Sequence, residues 1–121
     1  MNSYAYHTLR VGMAITFLWI GLLILKFPEA WGGYVQPWAV GLLPVPVAQA
    51  MLTTAVFDLI IGFFLLIDTK VWIVALLASI HLVIVLVVSG ITDVTARDIG
   101  LLSGTLALLA DSYPKMWPRK K

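Results

Sequence analysis

Three stretches, Thr8 to Leu25, Ala48 to Ile67 and Val71 to Gly90, each come close to the ~20 apolar residues that a bilayer core requires, and nothing else in the sequence restricts the fold as much. Backbone placed in hydrocarbon must satisfy its own hydrogen bonds, so these stretches predict helices packed on one another. Of the 121 residues 61% are hydrophobic and 12% charged, with a mean hydropathy of +0.99, which excludes a soluble domain of ordinary balance. A fourth segment, Ala96 to Tyr113, is weaker. Its apolar centre runs only from Ile99 to Ala110, but Thr95 followed by Asp98 reads as a capping box and Pro114 as a stop. With no internal repeat, low-complexity tract or long polar stretch, residues 1–121 predict a single all-α membrane domain, a four-transmembrane-helix bundle.

Charge sets the orientation. Arg10, Lys70, Lys115, Arg119, Lys120 and Lys121 fall on one side of such a bundle and only Lys26 and Arg97 on the other, so both termini are expected to be cytoplasmic. Tyr4, Tyr6, Trp72, Tyr113 and Trp117 would then mark the inner interface, and Trp31, Tyr34 and Trp38 the outer one. The basic tail suits lipid headgroups better than nucleic acid. The first span is read as retained, because Lys26-Phe27-Pro28-Glu29 makes a poor cleavage site. Asp68-Thr69-Lys70 is short enough to force the second and third spans into a tight antiparallel hairpin. The longer link, 27–47, holds Pro28, Pro37, Pro44 and Pro46 with Trp31 and Trp38, and is too apolar for a solvated loop. It is expected to lie in the outer interface or to fold back over the bundle as a lid.

Within the second span sits Asp58. A centred aspartate costs roughly 2.5–3.5 kcal/mol on insertion scales, so it should face protein or water and find a partner. His81 is the natural one. Counted from the turn at ~1.5 Å per residue, both lie ~15 Å deep, at one level on paired helices. Two readings stay open for them: a proton relay or ligand-binding pair, or a structural pair that locks the hairpin. His7, the other histidine, lies too near the end of its span to share haem ligation with His81, leaving haem or metal only as something shared with another subunit. No metal site is expected within the chain.

A second polar group, Lys26, Glu29, Asp93, Arg97 and Asp98, ends its spans at similar height and forms a candidate binding site at the outer mouth, or merely anchors the helix ends. Arg10, one turn inside the first span, is expected to snorkel to headgroups. Gly100 and Gly104, with Gly12, Gly21 and Gly62, are assigned to close helix approach. Phe17, Trp19, Phe57, Phe63 and Phe64 are candidates for an aromatic cleft that would take a quinone or another apolar ring. The sequence has no cysteine, which excludes thiol–disulfide exchange, thiolate metal sites and cysteine-ligated clusters from this chain.

Read in order, Arg10-Val11-Gly12, Phe17-Leu18-Trp19-Ile20-Gly21, Lys26-Phe27-Pro28, Leu43-Pro44-Val45-Pro46 and Arg97-Asp98-Ile99-Gly100-Leu101-Leu102 make the whole chain resemble the DoxX family of small four-span membrane proteins. Where that family commonly has a Glu followed by a Gly four residues later, this sequence has Asp58 and Gly62. The resemblance implies a bacterial or archaeal cytoplasmic (inner) membrane, where some relatives are membrane subunits of thiosulfate:quinone oxidoreductase and others accessory proteins of oxidative-stress systems; the leading expectation is a subunit that supports quinone-linked oxidation of the thiosulfate:quinone type beside partner proteins. No redox cofactor is encoded, and quinone is the one implied. Two further classes compete. A structural or assembly subunit, in a larger membrane complex or a homo-oligomer, would use Asp58 and His81 only to fix helices. A small proton-coupled transporter would use Asp58 as its carboxylate, although such transporters carry theirs in the first span.

Overall fold

The computed structural model describes residues 1–90, 92 and 95–113, and these are all-helical, with no strand among them. Asp93, Pro114, Trp117 and the basic tail of Lys115, Arg119, Lys120 and Lys121 lie outside the described residues. The helices are α1 Ser3–Lys26, α2 Pro28–Gly32, α3 Pro37–Val40, α4 Val47–Leu66, α5 Val71–Ser89 and α6 Ala96–Ser112. Three of them, α1, α4 and α5, are long and apolar enough to cross a membrane. Large apolar side chains such as Trp19, Ile60, Ile80 and Val87 are at least half exposed on their outer faces, the pattern of a surface that meets lipid. Helix α6 is shorter, 17 residues, and carries Arg97, Asp98 and Asp111 near its ends.

Local chemistry sets the boundaries. Asn2 caps α1 by accepting from the Ala5 amide at 2.8 Å, so the helix begins five residues before the apolar run does. Pro28 ends it by excluding Phe27 from helical geometry (φ −134°, ψ 59°) and then opens α2. Thr95 stands at the N-cap of α6 but makes no side-chain cap bond, against the expected capping box. Its hydroxyl instead donates to the Gly90 carbonyl at the end of α5 and also accepts from the Thr92 amide, tying the α5–α6 connection together. Inside the helices Thr16, Thr53, Thr54 and Ser103 each donate one turn back, to the carbonyls of Gly12, Gln49, Ala50 and Ile99, which leaves none of these hydroxyl hydrogens facing hydrocarbon.

Packing pairs α1 with α4 and α5 with α6, whereas α4 and α5, though joined by the short turn, touch less. This corrects the expectation of a tight hairpin, and side-chain size explains it. Helices α1 and α4 run antiparallel with Ala14 opposite Gly62 and Gly21 opposite Ala55, seven residues apart on each helix. A Cβ on Gly62 would lie 2.6 Å from Leu18 Cγ and 3.0 Å from the Ala14 carbonyl oxygen; one on Gly21 would lie 3.1 Å from the Ala55 carbonyl oxygen. The backbones meet there, as small residues allow. Between α5 and α6 the Ser79 hydroxyl donates to Thr105 Oγ1 at 2.8 Å, both buried. Gly104 packs on Met13, but Gly12 and Gly100 have open space around them, so close approach does not explain those two.

The turn between α4 and α5 holds Asp68 (φ 56°) and Lys70 (φ 53°) in left-handed geometry, which costs side-chain-bearing residues of order 1–3 kcal/mol each. Arg10 makes it tolerable. Rather than snorkelling, Arg10 is buried (8% exposed) and donates to the Leu65 and Leu66 carbonyls at 2.6 and 2.8 Å, with its Nε 3.6 Å from Asp68 Oδ1. Tyr6 donates to the same Asp68 oxygen at 2.7 Å. The guanidinium thus caps the orphan carbonyls at the end of α4 while α1 clamps the turn.

Gly62→Ala should lower stability in detergent by about 1–3 kcal/mol, because the Ala14 carbonyl cannot move aside. Gly12→Ala should be neutral or stabilising by up to about 1 kcal/mol, as a helical glycine with open space around it gains only propensity. Thermal or denaturant unfolding of the two variants side by side checks both.

Candidate functional site

At the end of the bundle opposite the α4–α5 turn, a cavity of about 260 Å³ runs inward from the 27–47 link to mid-helix depth. Phe17, Ile20 and Ile24 of α1, Met51 and Thr54 of α4, Leu82 and Val85 of α5, and Leu101 of α6 form its walls. The link supplies Trp31, Tyr34, Val35 and Leu43 as its cover. Gln36 fastens that cover: its amide donates to the Val88 carbonyl at 2.7 Å and its side chain to the Ser89 carbonyl at 3.1 Å, occupying acceptors at the end of α5. Gly32 adds a close contact, with no room for a Cβ against Val47.

Asp58 and His81 lie together at the inner end. His81 Nε2 is 3.4 Å from Asp58 Oδ1, and the Asp58 side chain is only 6% exposed. The shared depth fixed by the short turn is therefore matched by a shared orientation. The contact is long and poorly aligned, so Oδ1 accepts no hydrogen bond of good geometry among the described residues. Phe57 supports the imidazole edge to face, with ring centroids 4.9 Å apart. An acid and an imidazole that meet loosely in an apolar enclosure have capacity left for a third polar group. Free binding sites often look like this, tightening only when occupied.

The second polar group divides. Arg97 and Asp98 line the same cavity, with Arg97 Nε 3.7 Å from Asp98 Oδ1 and the guanidinium carbon 5.4 Å from the centre of the Trp31 ring. That cation–π contact joins α6 to the link above the cavity. Lys26 and Glu29 are exposed and absent from the lining. The aromatic cleft is also different from the expected one. Phe17 lines the cavity, Trp19 and Phe63 point outward (66% and 53% exposed), and Phe57 and Phe64 border a separate shallow depression between α4 and α5. Trp31 and Tyr34 take their place, residues assigned by sequence to an interfacial belt. The signal for them was the unusual apolarity of the link.

His7 is remote from this site in the fold, accepting from Arg10 at the turn end at 3.3 Å, and no group of three His, Cys, Asp or Glu side chains among the described residues is arranged to hold a metal ion. Comparison with known protein families, with curated proteins and with solved structures finds no match for this chain. The cavity and its polar pairs are therefore the guide to chemistry.

The pair at the inner end predicts a measurable coupling. A double-mutant cycle of Asp58→Asn and His81→Gln, followed by unfolding in mild detergent, should return an interaction of about 0.5–2 kcal/mol, in the range of contacting polar side chains in membrane helices. Additive single effects would mean that the two side chains do not interact.

Proposed function

We propose that this chain is a DoxX-like subunit of a bacterial or archaeal inner membrane that binds the ring of a quinone in its cavity and supports quinone-linked oxidation, of the thiosulfate:quinone type, beside partner proteins. The observation that carries this reading is an apolar cavity whose inner end presents one acid and one imidazole, 3.4 Å apart. A space of about 260 Å³ between Phe17, Leu82 and Trp31 suits a flat ring, and the ring's oxygens need a polar end such as Asp58 and His81 provide. A bound quinone supplies a two-electron, two-proton acceptor. In this reading Asp58 and His81 hold and move protons at the ring oxygen, Phe17 and Trp31 exclude water, and the 27–47 link keeps the cavity closed. A partner protein delivers the electrons, in keeping with a sequence that has no cysteine to carry a cluster.

The same proposal places α6 across the membrane as a fourth span, shielded by α5, with both termini cytoplasmic, as the six-to-two distribution of Lys and Arg favours. Single cysteines introduced at Tyr4, Thr69 and Tyr113 should react with a membrane-impermeant maleimide only after the membrane is opened, and one at Gly33 should react from outside. The natural sequence contributes no background label. Labelling of positions 69 and 113 from opposite sides would remove the fourth crossing.

Asp58→Asn keeps the shape of the side chain and removes its proton chemistry. With normal insertion, the complex should lose about 10²-fold or more of its thiosulfate-dependent quinol formation. Unchanged turnover would assign Asp58 and His81 to helix packing alone.

A further inference from the structure

The polar groups of the cavity also constrain which ligand they accept. Any statement about that occupant rests on the proposed reading of the cavity as a ligand site. Among the described residues, four Asp, His and Arg side chains line it beside Tyr34, as two acid–base pairs: Asp58 with His81, and Asp98 with Arg97. Each pair sets an acid beside a base, Asp98 against Arg97 and Asp58 against His81, so none of the four stands without an opposite group next to it. A charged ligand would bring an uncompensated charge into an apolar enclosure, where it loses its hydration without gaining a counter-ion.

Hydrogen bonding narrows the class further. Asp58 Oδ1 is buried and accepts no hydrogen bond of good geometry among the described residues, with His81 Nε2 3.4 Å away and misaligned. A ring that carries only an ether oxygen has no hydrogen to offer and would leave the carboxyl as it stands. A ring hydroxyl satisfies it. We infer that the cavity takes a neutral aromatic ring with a free hydroxyl, a phenol or the hydroquinone form of a quinone, in preference to ether-capped or charged rings, with the hydroxyl donating to Asp58 and the ring held between Phe17 and Trp31. A site built around a substrate hydroxyl discriminates strongly against the analogue that lacks it, because the buried acceptor is then left unpaired.

Four probes on one skeleton test this without redox chemistry: 4-propylphenol, 4-propylanisole, 4-propylbenzylamine as its ammonium ion, and 4-propylbenzoate. Binding to the full chain in nanodiscs is measured by equilibrium dialysis against empty discs of the same lipid, which removes partitioning into the bilayer. The phenol should bind at least about 10-fold tighter than the anisole and than either ion. Asp58→Leu should bring the ratio of phenol to anisole close to one. The wild-type ranking decides the matter even if that variant fails to fold. Equal or tighter binding of the anisole would overturn the hydroxyl preference, and so would binding of no probe; tightest binding of the ammonium ion would make this a cation site. Phenol selectivity without quinone-linked turnover would leave the ligand chemistry standing and remove the quinone-linked function. Turnover that depends on Asp58, without phenol selectivity, would do the reverse.

Discussion

A carboxylate in the middle of an apolar helix decides how that helix is turned. Asp58 has to face the bundle, because lipid offers it neither hydrogen bond nor counter-ion. The buried positions of α4 are Ala55, Asp58, Ile61, Gly62 and Leu65, one stripe at helical spacing. Turning Asp58 inward therefore carries Ala55 and Gly62 inward with it, against Gly21 and Ala14 of α1, where backbone meets backbone. One rotation serves both needs. On α5 the corresponding stripe runs through Ala75, Ala78, Ser79 and Leu82, with His81 at its edge, and the Ser79 to Thr105 hydrogen bond fixes α6 beside it. The separation of α4 from α5 follows from the same arrangement, since the small residues draw α4 to α1.

The two ends of the bundle use their polar residues differently. At the turn, Arg10 donates to the Leu65 and Leu66 carbonyls and Tyr6 donates to Asp68, at 2.6–2.8 Å, beside an Arg10–Asp68 ion pair of 3.6 Å. They close the end of α4 and hold two left-handed residues in place, which is a stabilising role. At the cavity the ion pairs are of similar length, 3.4 and 3.7 Å, but no short hydrogen bond accompanies the Asp58–His81 pair, and the buried Asp58 Oδ1 goes without a well-formed bond among the described residues. Buried polar groups are ordinarily satisfied, so loose ones bordering an open space mark where a ligand belongs. That contrast favours a functional over a purely structural reading of Asp58 and His81, and it assigns the structural reading to Arg10 instead.

The helices were legible because apolar length and period carry them: α4, α5 and α6 fall within one residue of the sequence boundaries. The common depth of Asp58 and His81 was legible too, by counting residues from a three-residue turn. Their facing each other was not, since counting gives depth but not rotation. For Arg10 the sequence pointed to headgroups, because its actual acceptors, the carbonyls of Leu65 and Leu66, belong to a segment 55 and 56 residues away that counting along one helix does not reach. The aromatic cleft failed for a reason present in the sequence: Phe17 and Trp19 are about 200° apart on one helix at 3.6 residues per turn, so they cannot share a wall. Thr95 misled in another way. Its hydroxyl oxygen accepts from the Thr92 amide rather than from an amide of α6, and with its bond to the Gly90 carbonyl a local tie across the connection replaced the cap.

The link obeys the same constraint as Asp58, because irregular backbone near membrane depth persists only where its polar groups are satisfied by protein. Its prolines remove amide donors, and Gln36 directs its backbone and side-chain donors to the exposed carbonyls of α5. The cover is thereby fixed to α5 by hydrogen bonds and to α6 by Arg97 lying over Trp31, independently of any occupant. The cavity is thinner on another side. Ile84 lines it and also borders an apolar depression between α5 and α6, so one apolar side chain is shared by the two. Opening at the cover breaks hydrogen bonds and a cation–π contact, whereas opening at Ile84 needs only a rotamer change toward lipid. In the proposed reading, an apolar ring dissolved in the bilayer would enter beside Ile84 rather than through the cover.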